Sequence, residues 1–407
     1  MPIVPKLVDE ALIVRVVCEI HQTTAECVKI KASDFKILSE NGENFCSDIY
    51  VVNVQYVLNG NDNQETSFIL KILKQGITKI GTNESLMLTK VLPVMETYLN
   101  VMEEREKEKL FATCFLTEHR GHQEFYVLEN LNALGYYCAD RVKGLNAAQA
   151  NLVMKKLGKY HAASMLYQKR FPQVVESLRK SQLAKGYLDA VGEAIIFGGF
   201  EYVANMTQNW PGYEHLKPRL HELKNRFNDL AKQAVDPANS SFNVINHGDM
   251  WVNNILFKYD QESQEPMDAL FVDFQETFWA SCGYDLSCFL YTSLELPVLK
   301  NNRKKLLQTY YHNLKETLLE NQYPTDAIPS WRGILLELKR CEIIGIYVTL
   351  SEFPMDALDR TTSKSLTSET FKNAEELAKM RIPMYENPRV QEHLLYALKY
   401  FEESGLL

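Results

Sequence analysis

HGDMWVNN at residues 247–254, followed by FVDF at 271–274, is the stretch on which the reading of this chain turns. Short β-rich pieces flank it (Val244-Ile245, Ile255 to Phe257, Leu270 to Val272), separated by a polar loop and the turn QESQEPMD, so a hairpin can bring the two motifs together. Phosphoryl transfer from ATP needs a base or aligner for the acceptor hydroxyl, and oxygen ligands for magnesium on the phosphates. In that arrangement Asp249 would accept or orient the acceptor's hydroxyl proton. Asn254 would offer its amide oxygen to one magnesium ion, and Asp273 would bind magnesium bridging the phosphates. Taken singly, Asp and Asn at strand ends are ordinary turn residues. The combination HxDxxxxN, strand and Asp-Phe is what points to chemistry. His247 has no second His or Cys at metal-binding spacing and reads as a structural residue beside Asp249.

The rest of the composition narrows the class. A chain of 407 residues, 46% hydrophobic and 24% charged, can bury two lobes without help from metals or disulfides. A net charge of −8 argues against a surface that neutralises a nucleic-acid backbone. Eight cysteines without a CxxC pair suggest neither a zinc site nor a disulfide framework, but reduced thiols in a cytoplasmic protein. The N-terminal stretch, interrupted by an acidic pair and Arg15, lacks the form of a signal peptide, and no apolar run reaches the length of a membrane span.

Outward from the motif, helix-like spacing over 8–30 (Leu12, Val16, Val17, Ile20) precedes strands expected at 35–38, 49–58 and 67–73, with a hairpin turn between Gly60 and Gln64. A helix opening near Asn83 should end or kink at Pro93, and a second helical segment should run to about Lys109, with EEREKEK (103–109) as a solvated face. Strands at 111–116 and 124–128 would complete a small antiparallel sheet. Beyond it, Asn146 with Gln149 predicts a capping box, and helices are expected over 174–206, 214–234, 284–320, 330–350 and 368–382.

These motifs resemble the catalytic and metal-binding loops of protein kinases and of the aminoglycoside and choline kinases. More narrowly, HGDMWVNNILF with FVDFQ resembles the ecdysteroid-kinase-like family. The resemblance runs from about residue 35 to 300. It implies that FILK (68–71) carries the third-strand lysine, making Lys71 the partner of the α- and β-phosphates, with Lys74 as the alternative, and that Glu84 is its helix glutamate. GENFCSD (42–48) would be the phosphate-covering loop, with Asn44 and Ser47 in place of glycines. Main-chain groups near Glu129 to Leu131 would meet the adenine edge, although Asn130 stands where the family more often has an acidic residue. His161 is read as a packed core histidine, and Asp285 as a support of the catalytic loop.

The expectation is therefore an α+β, two-lobed protein-kinase-like fold. A small antiparallel β-rich N-lobe (1–130) would hold ATP, and a larger, mainly helical C-lobe (131–407) would carry the catalytic loop, the magnesium ligands and the acceptor pocket. The implied activity is phosphorylation of a hydroxyl on a small lipophilic molecule, an ecdysteroid or related hydroxylated metabolite or xenobiotic. Trp251, Trp279, Tyr284 and Tyr291 are candidates to line the acceptor pocket or simply to pack the core. The alternatives are a choline- or aminoglycoside-type kinase and a catalytically silent nucleotide-binding scaffold.

Overall fold

Alternation along two paired strands fixes the first layer. The computed structural model describes residues 8–38, 47–60, 63–74, 82–102, 107–121 and 123–407. Strands β1 (Val28–Ile37), β2 (Ser47–Leu58), β3 (Asn63–Leu73), β4 (Cys114–Arg120) and β5 (Gln123–Glu129) form an antiparallel sheet in the order β1-β2-β3-β5-β4. Because side chains alternate between faces, Val52 and Val54 of β2 and Phe68, Leu70 and Ile72 of β3 point one way. They meet Leu12, Ile13, Val16 and Val17 of helix α1 (Glu10–His21). Lys71, paired with Ile49, falls on the opposite face.

The sheet corrects two expectations. The first helix stops at His21, where Gln22 takes a left-handed conformation (φ 50°) and its N–H caps the Cys18 carbonyl; the chain then enters β1 at Val28, well before Phe35. Only Val28 and Phe35 of this edge strand are buried, so its polar exposed face hides the alternation. Helix α2 also differs. It comprises Glu84–Leu86, a wide π turn at Met87–Val91 and Leu92–Leu99, and it continues through Pro93 because the wide turn accommodates the missing N–H. It does not reach Lys109. Asn100 closes it, donating to the Glu96 carbonyl at 2.9 Å and clasping the returning Glu108 backbone, whose N–H donates to Asn100 Oδ1 at 2.7 Å. Residues 103–106 of the expected solvated face and part of the 60–64 turn lie outside the described residues.

The second part of the chain is mainly helical. Helix α3 (Ala147–Arg170) opens with the expected capping box of Asn146 and Gln149. It runs beneath two small sheets, β6 (Tyr136–Cys138) with β8 (Ile255–Tyr259) and β9 (Pro266–Phe271), and β7 (Val244–Asn246) with β10 (Phe278–Ala280). Helix α4 (Leu216–Val235) follows the first expected helical span, which divides into a short helix at Pro172–Glu176 and a longer one that runs from Ala190 through a π turn (Glu193–Phe197) to Met206. The span expected at 284–320 divides into α5 (Gly283–Thr292) and α6 (Leu296–Glu320), with Pro297 restarting it. Helix α7 (Glu342–Tyr347) continues through another π turn, Val348–Glu352, into Phe353–Asp356, and α8 (Pro388–Glu403) closes the chain.

Helices α3 and α6 approach closely at Gly158, where an added Cβ would lie 2.4 Å from the Tyr310 carbonyl oxygen. Gly158→Ala is expected to lower unfolding free energy by about 1–3 kcal/mol through overpacking. Urea unfolding reads this directly, and a variant as stable as the parent would contradict the contact.

Candidate active site

A buried carboxylate organises the 247–254 segment from below. Asp285 sits in the first turn of α5 with no exposed surface. It accepts the His247 N–H at 2.6 Å on one oxygen and the Gly248 N–H at 3.0 Å on the other. His161, from α3, bonds the same carboxylate at 3.1 Å through Nε2, while its Nδ1 lies 2.8 Å from the Tyr310 hydroxyl. Gly248 is held at φ +84°, and a Cβ there would lie 2.0 Å from the Glu276 carbonyl oxygen, so glycine is required for both space and conformation.

The loop above that support is pinned to the second motif. His247 Nε2 donates to the Val272 carbonyl at 3.0 Å, and its Nδ1 faces the Asp249 N–H at 3.4 Å, a pairing that suits one neutral tautomer. Burial holds His247 below its usual pKa against the pull of Asp285 and Asp273. The Val272 N–H donates to the Asn254 carbonyl at 3.0 Å, tying the two motifs by backbone. Asn254 Nδ2 donates to both the Asp249 carbonyl (2.8 Å) and Asp249 Oδ2 (2.7 Å). Both partners are acceptors, so the amide nitrogen must face them and Oδ1 is turned away, the orientation a metal ligand needs. Burial, then the neighbouring Asp273 and Glu352, push the Asp249 carboxyl up to about 8, against the Asn254 hydrogen bond.

Asp273 stands in the left-handed region at φ 69°, an uncommon position for a residue with a side chain. Its Oδ1 lies 2.9 Å from Lys71 Nζ, which also meets both Glu84 oxygens at 2.7 and 2.8 Å. Burial disfavours the Lys71 charge, but the carboxylates of Asp273 and Glu84 outweigh it and hold the pKa above the ordinary lysine value. Burial raises Glu84, opposed by Lys71 and reinforced by Asp273. Lys74 is more exposed and lies beside Asp48, so Lys71 is the lysine delivered to the site. The set thus joins β3, α2 and both motifs. Two oxygen ligands suit magnesium, which keeps waters and takes phosphate oxygens alongside one or two protein ligands. Among the described residues no cluster of three or more His, Cys, Asp or Glu side chains forms a resident metal site.

A model of the ecdysteroid kinase-like family matches residues 41–323. The chain belongs to that family. As a family member it is a small-molecule kinase, and its antiparallel sheet followed by a helical part is the α+β, kinase-like fold expected of one. Curated protein sequences gave no match. Similar solved structures include the GDP complex of an aminoglycoside 2′-phosphotransferase mutant (9% identity, TM-score 0.42, covering 93% of this chain and 97% of that one). Another is described as a fructosamine-3-kinase from Haemophilus somnus (11% identity, TM-score 0.32, covering 82% and 96%).

The remaining expected residues of this family member are distributed unevenly. Asn44 lies outside the described residues, and Ser47 is buried at the start of β2 opposite Leu73. The Glu129 side chain turns away to Lys109 and the Thr113 N–H, and its own N–H donates to the Thr113 carbonyl at 2.8 Å, leaving other main-chain groups of the 129–131 stretch for a base edge. Leu131 is buried with Tyr136 and Leu270. Asn130 donates to the Ser67 hydroxyl at 2.9 Å.

Beside Asp249 a cavity of about 450 Å³ is lined by Trp251 and Tyr284 but not by Trp279 or Tyr291, which correct the aromatic expectation. Tyr291 instead packs against Phe401, and Trp279 pairs with Ile245 in β10. Tyr347, Glu276, Glu352 and Asp356 complete its inner wall, none of them singled out in the sequence. A signal for the last two exists. They are acids one helical turn apart in SEFPMDAL, directly after the apolar run IIGIYVTL. His161 is a core histidine as expected, yet it is also bonded to the carboxylate under the loop.

Asp285→Asn keeps the shape but presents an amide to N–H donors, so it should destabilise the protein by about 3 kcal/mol. Denaturant titration checks this, and an unchanged midpoint would show that the carboxylate does not support the loop.

Proposed function

We propose that the chain transfers the γ-phosphoryl group of ATP, with magnesium, to a hydroxyl of a small lipophilic acceptor. An ecdysteroid or another hydroxylated metabolite or xenobiotic is the acceptor class to try first. The observation that carries the proposal is the convergence of Lys71 with Asp273 at 2.9 Å, 202 residues apart in sequence, beside a loop that holds Asp249 and Asn254 over a cavity.

In this reading Lys71, kept in register by Glu84, meets the α- and β-phosphates, and main-chain groups around Glu129 to Leu131 meet the adenine. The stretch that carries Asn44 and leads into Ser47 of β2 covers the phosphates. Asn254, through its free Oδ1, and Asp273 hold magnesium, which when bound would neutralise charge on the phosphoryl oxygens. Asp249 aligns the acceptor hydroxyl and takes its proton. As the acceptor oxygen forms its bond to the γ-phosphorus, the bond from that phosphorus to the β,γ-bridging oxygen breaks and ADP leaves. A carboxyl whose pKa burial has raised is suited to take that proton. Residues 1–130 act as the nucleotide lobe and 131–407 as the acceptor lobe. The described cysteines are free thiols, in keeping with a cytoplasmic setting. Among the described residues no helix is long and apolar enough to cross a membrane.

The test is phosphorylation of a panel of steroids, choline and aminoglycosides with ATP and magnesium, read by mass spectrometry. Asp249→Asn should lower turnover by about 10²–10⁴-fold with ATP binding kept. Asp273→Ala should instead weaken magnesium-dependent nucleotide binding. Full activity in Asp249→Asn would remove the assignment, and nucleotide binding without any product would favour a silent scaffold.

A further inference from the structure

The cavity beside Asp249 contains carboxyl groups for which phosphoryl transfer has no use. Glu352 closes the π turn at the end of α7, and Asp356 follows one helical turn later; both face the cavity. The neighbouring Tyr347 hydroxyl favours the charged form of Glu352, the like charge of Glu276 opposes it, and Glu352 forms no ion pair among the described residues. Burial pushes Glu352 up to about 7.

Asp356 makes no hydrogen bond or ion pair among the described residues. Burial raises it well above the carboxylate range, Glu352 and Asp249 add to the shift, and Arg141 and Arg389 oppose it from a distance. Each of those guanidinium groups bonds other partners, Arg141 the Ser363 hydroxyl at 2.6 Å and Arg389 the Arg141 and Leu294 carbonyls at 2.7 and 3.3 Å, while the buried Nε of each has none. The basic side chains on the cavity wall, Arg179, Lys180 and Lys185, form no hydrogen bond or ion pair with Glu352 or Asp356 among the described residues. Lys180 and Lys185 are exposed, and Arg179 acts on Glu276.

Aromatic groups surround the same carboxyls. Tyr284 and Tyr347, hydroxyl to hydroxyl at 3.2 Å, form the buried floor, and Trp251 lies on the wall next to Asp249. Carboxylates that form no ion pair among the described residues, set beside aromatic rings in a cavity large enough for a small molecule, match the chemistry that holds an ammonium group. Removing two carboxylates from water without a partner is costly, and a cation arriving with the ligand relieves that cost.

We propose that this cavity selects acceptors carrying a protonated nitrogen as well as the hydroxyl to be phosphorylated, with the nitrogen held by Glu352 and Asp356 among Tyr284, Tyr347 and Trp251. The proposal rests on reading the cavity as the acceptor site. It narrows the lipophilic acceptor class to amino alcohols and makes a neutral steroid alcohol the poorer substrate.

The experiment uses the full chain with ATP and magnesium, and three acceptors on one hydroxylated steroid skeleton: a primary amine, its N-acetyl derivative and the unsubstituted parent. kcat/KM for the amine should exceed that for the N-acetyl form by about tenfold or more, chiefly through KM, as one charge-assisted contact implies. In Glu352→Gln and Asp356→Asn this ratio should fall toward one, with MgATP affinity as the control for folding. Acceptor binding is read in parallel as thermal stabilisation in the presence of MgADP, where the amine should stabilise more than the N-acetyl form. Equal use of the three acceptors would overturn the inference and leave the kinase reading standing. Absence of product with all three would count against the kinase reading, and equal thermal shifts in that case would overturn the inference as well.

Discussion

A carboxylate with no access to water must be met by donors, and Asp285 is met by the backbone of the segment that carries the candidate chemistry. Two of its bonds go to consecutive N–H groups, His247 and Gly248, which fixes the direction of the chain there. The left-handed turn at Gly248 follows, closed on the far side by the Glu276 carbonyl. Asp249 then has little freedom: its carboxylate and carbonyl are both held by Asn254. The histidine that completes Asp285's partners comes from α3, and that helix sits where it does because Gly158 lets it close on α6. Position of the loop is thus a property of the helical core.

The second constraint joins the two parts of the chain. Lys71 is buried with two carboxylates, one from α2 and one from the 271–274 motif. A lone lysine would give up its proton in such a place, and a lone carboxylate would take one up. The carboxylates keep the Lys71 charge in place against burial. Burial, and then the neighbouring carboxylates of Asp273, Glu352 and Glu276, explain why Asp249 holds its proton above the aspartate range. A site of this kind favours ligands that bring positive charge with them.

Much of this was legible because chemistry imposes spacing. HxDxxxxN followed by Asp-Phe, the FILK lysine and Glu84 come from four elements, and the structure brings Lys71, Glu84 and Asp273 into direct contact and joins Asp249 to Asn254. Alternation revealed β2 and β3 because one face of each is buried, and it failed for β1, an edge strand with two buried residues. Pro93 was read as a breaker, but a π turn absorbs it. The helix expected to reach Lys109 ends at Leu99 because Asn100 bonds a segment that returns from later in the chain, a tertiary contact that periodicity does not encode. Glu352 and Asp356 were missed for a similar reason. They lie about a hundred residues past the HGDMWVNN motif, and only folding of α7 brings them beside Asp249.

The most direct test of phosphoryl transfer at Asp249 follows the phosphorus itself. ATP labelled with ¹⁸O in its γ-phosphoryl group would be incubated with the protein, magnesium and a mixed extract of small molecules, and the products separated by mass. Label should appear, only with magnesium present, in an organic phosphate monoester. Label confined to ATP, or found only in inorganic phosphate, would contradict it.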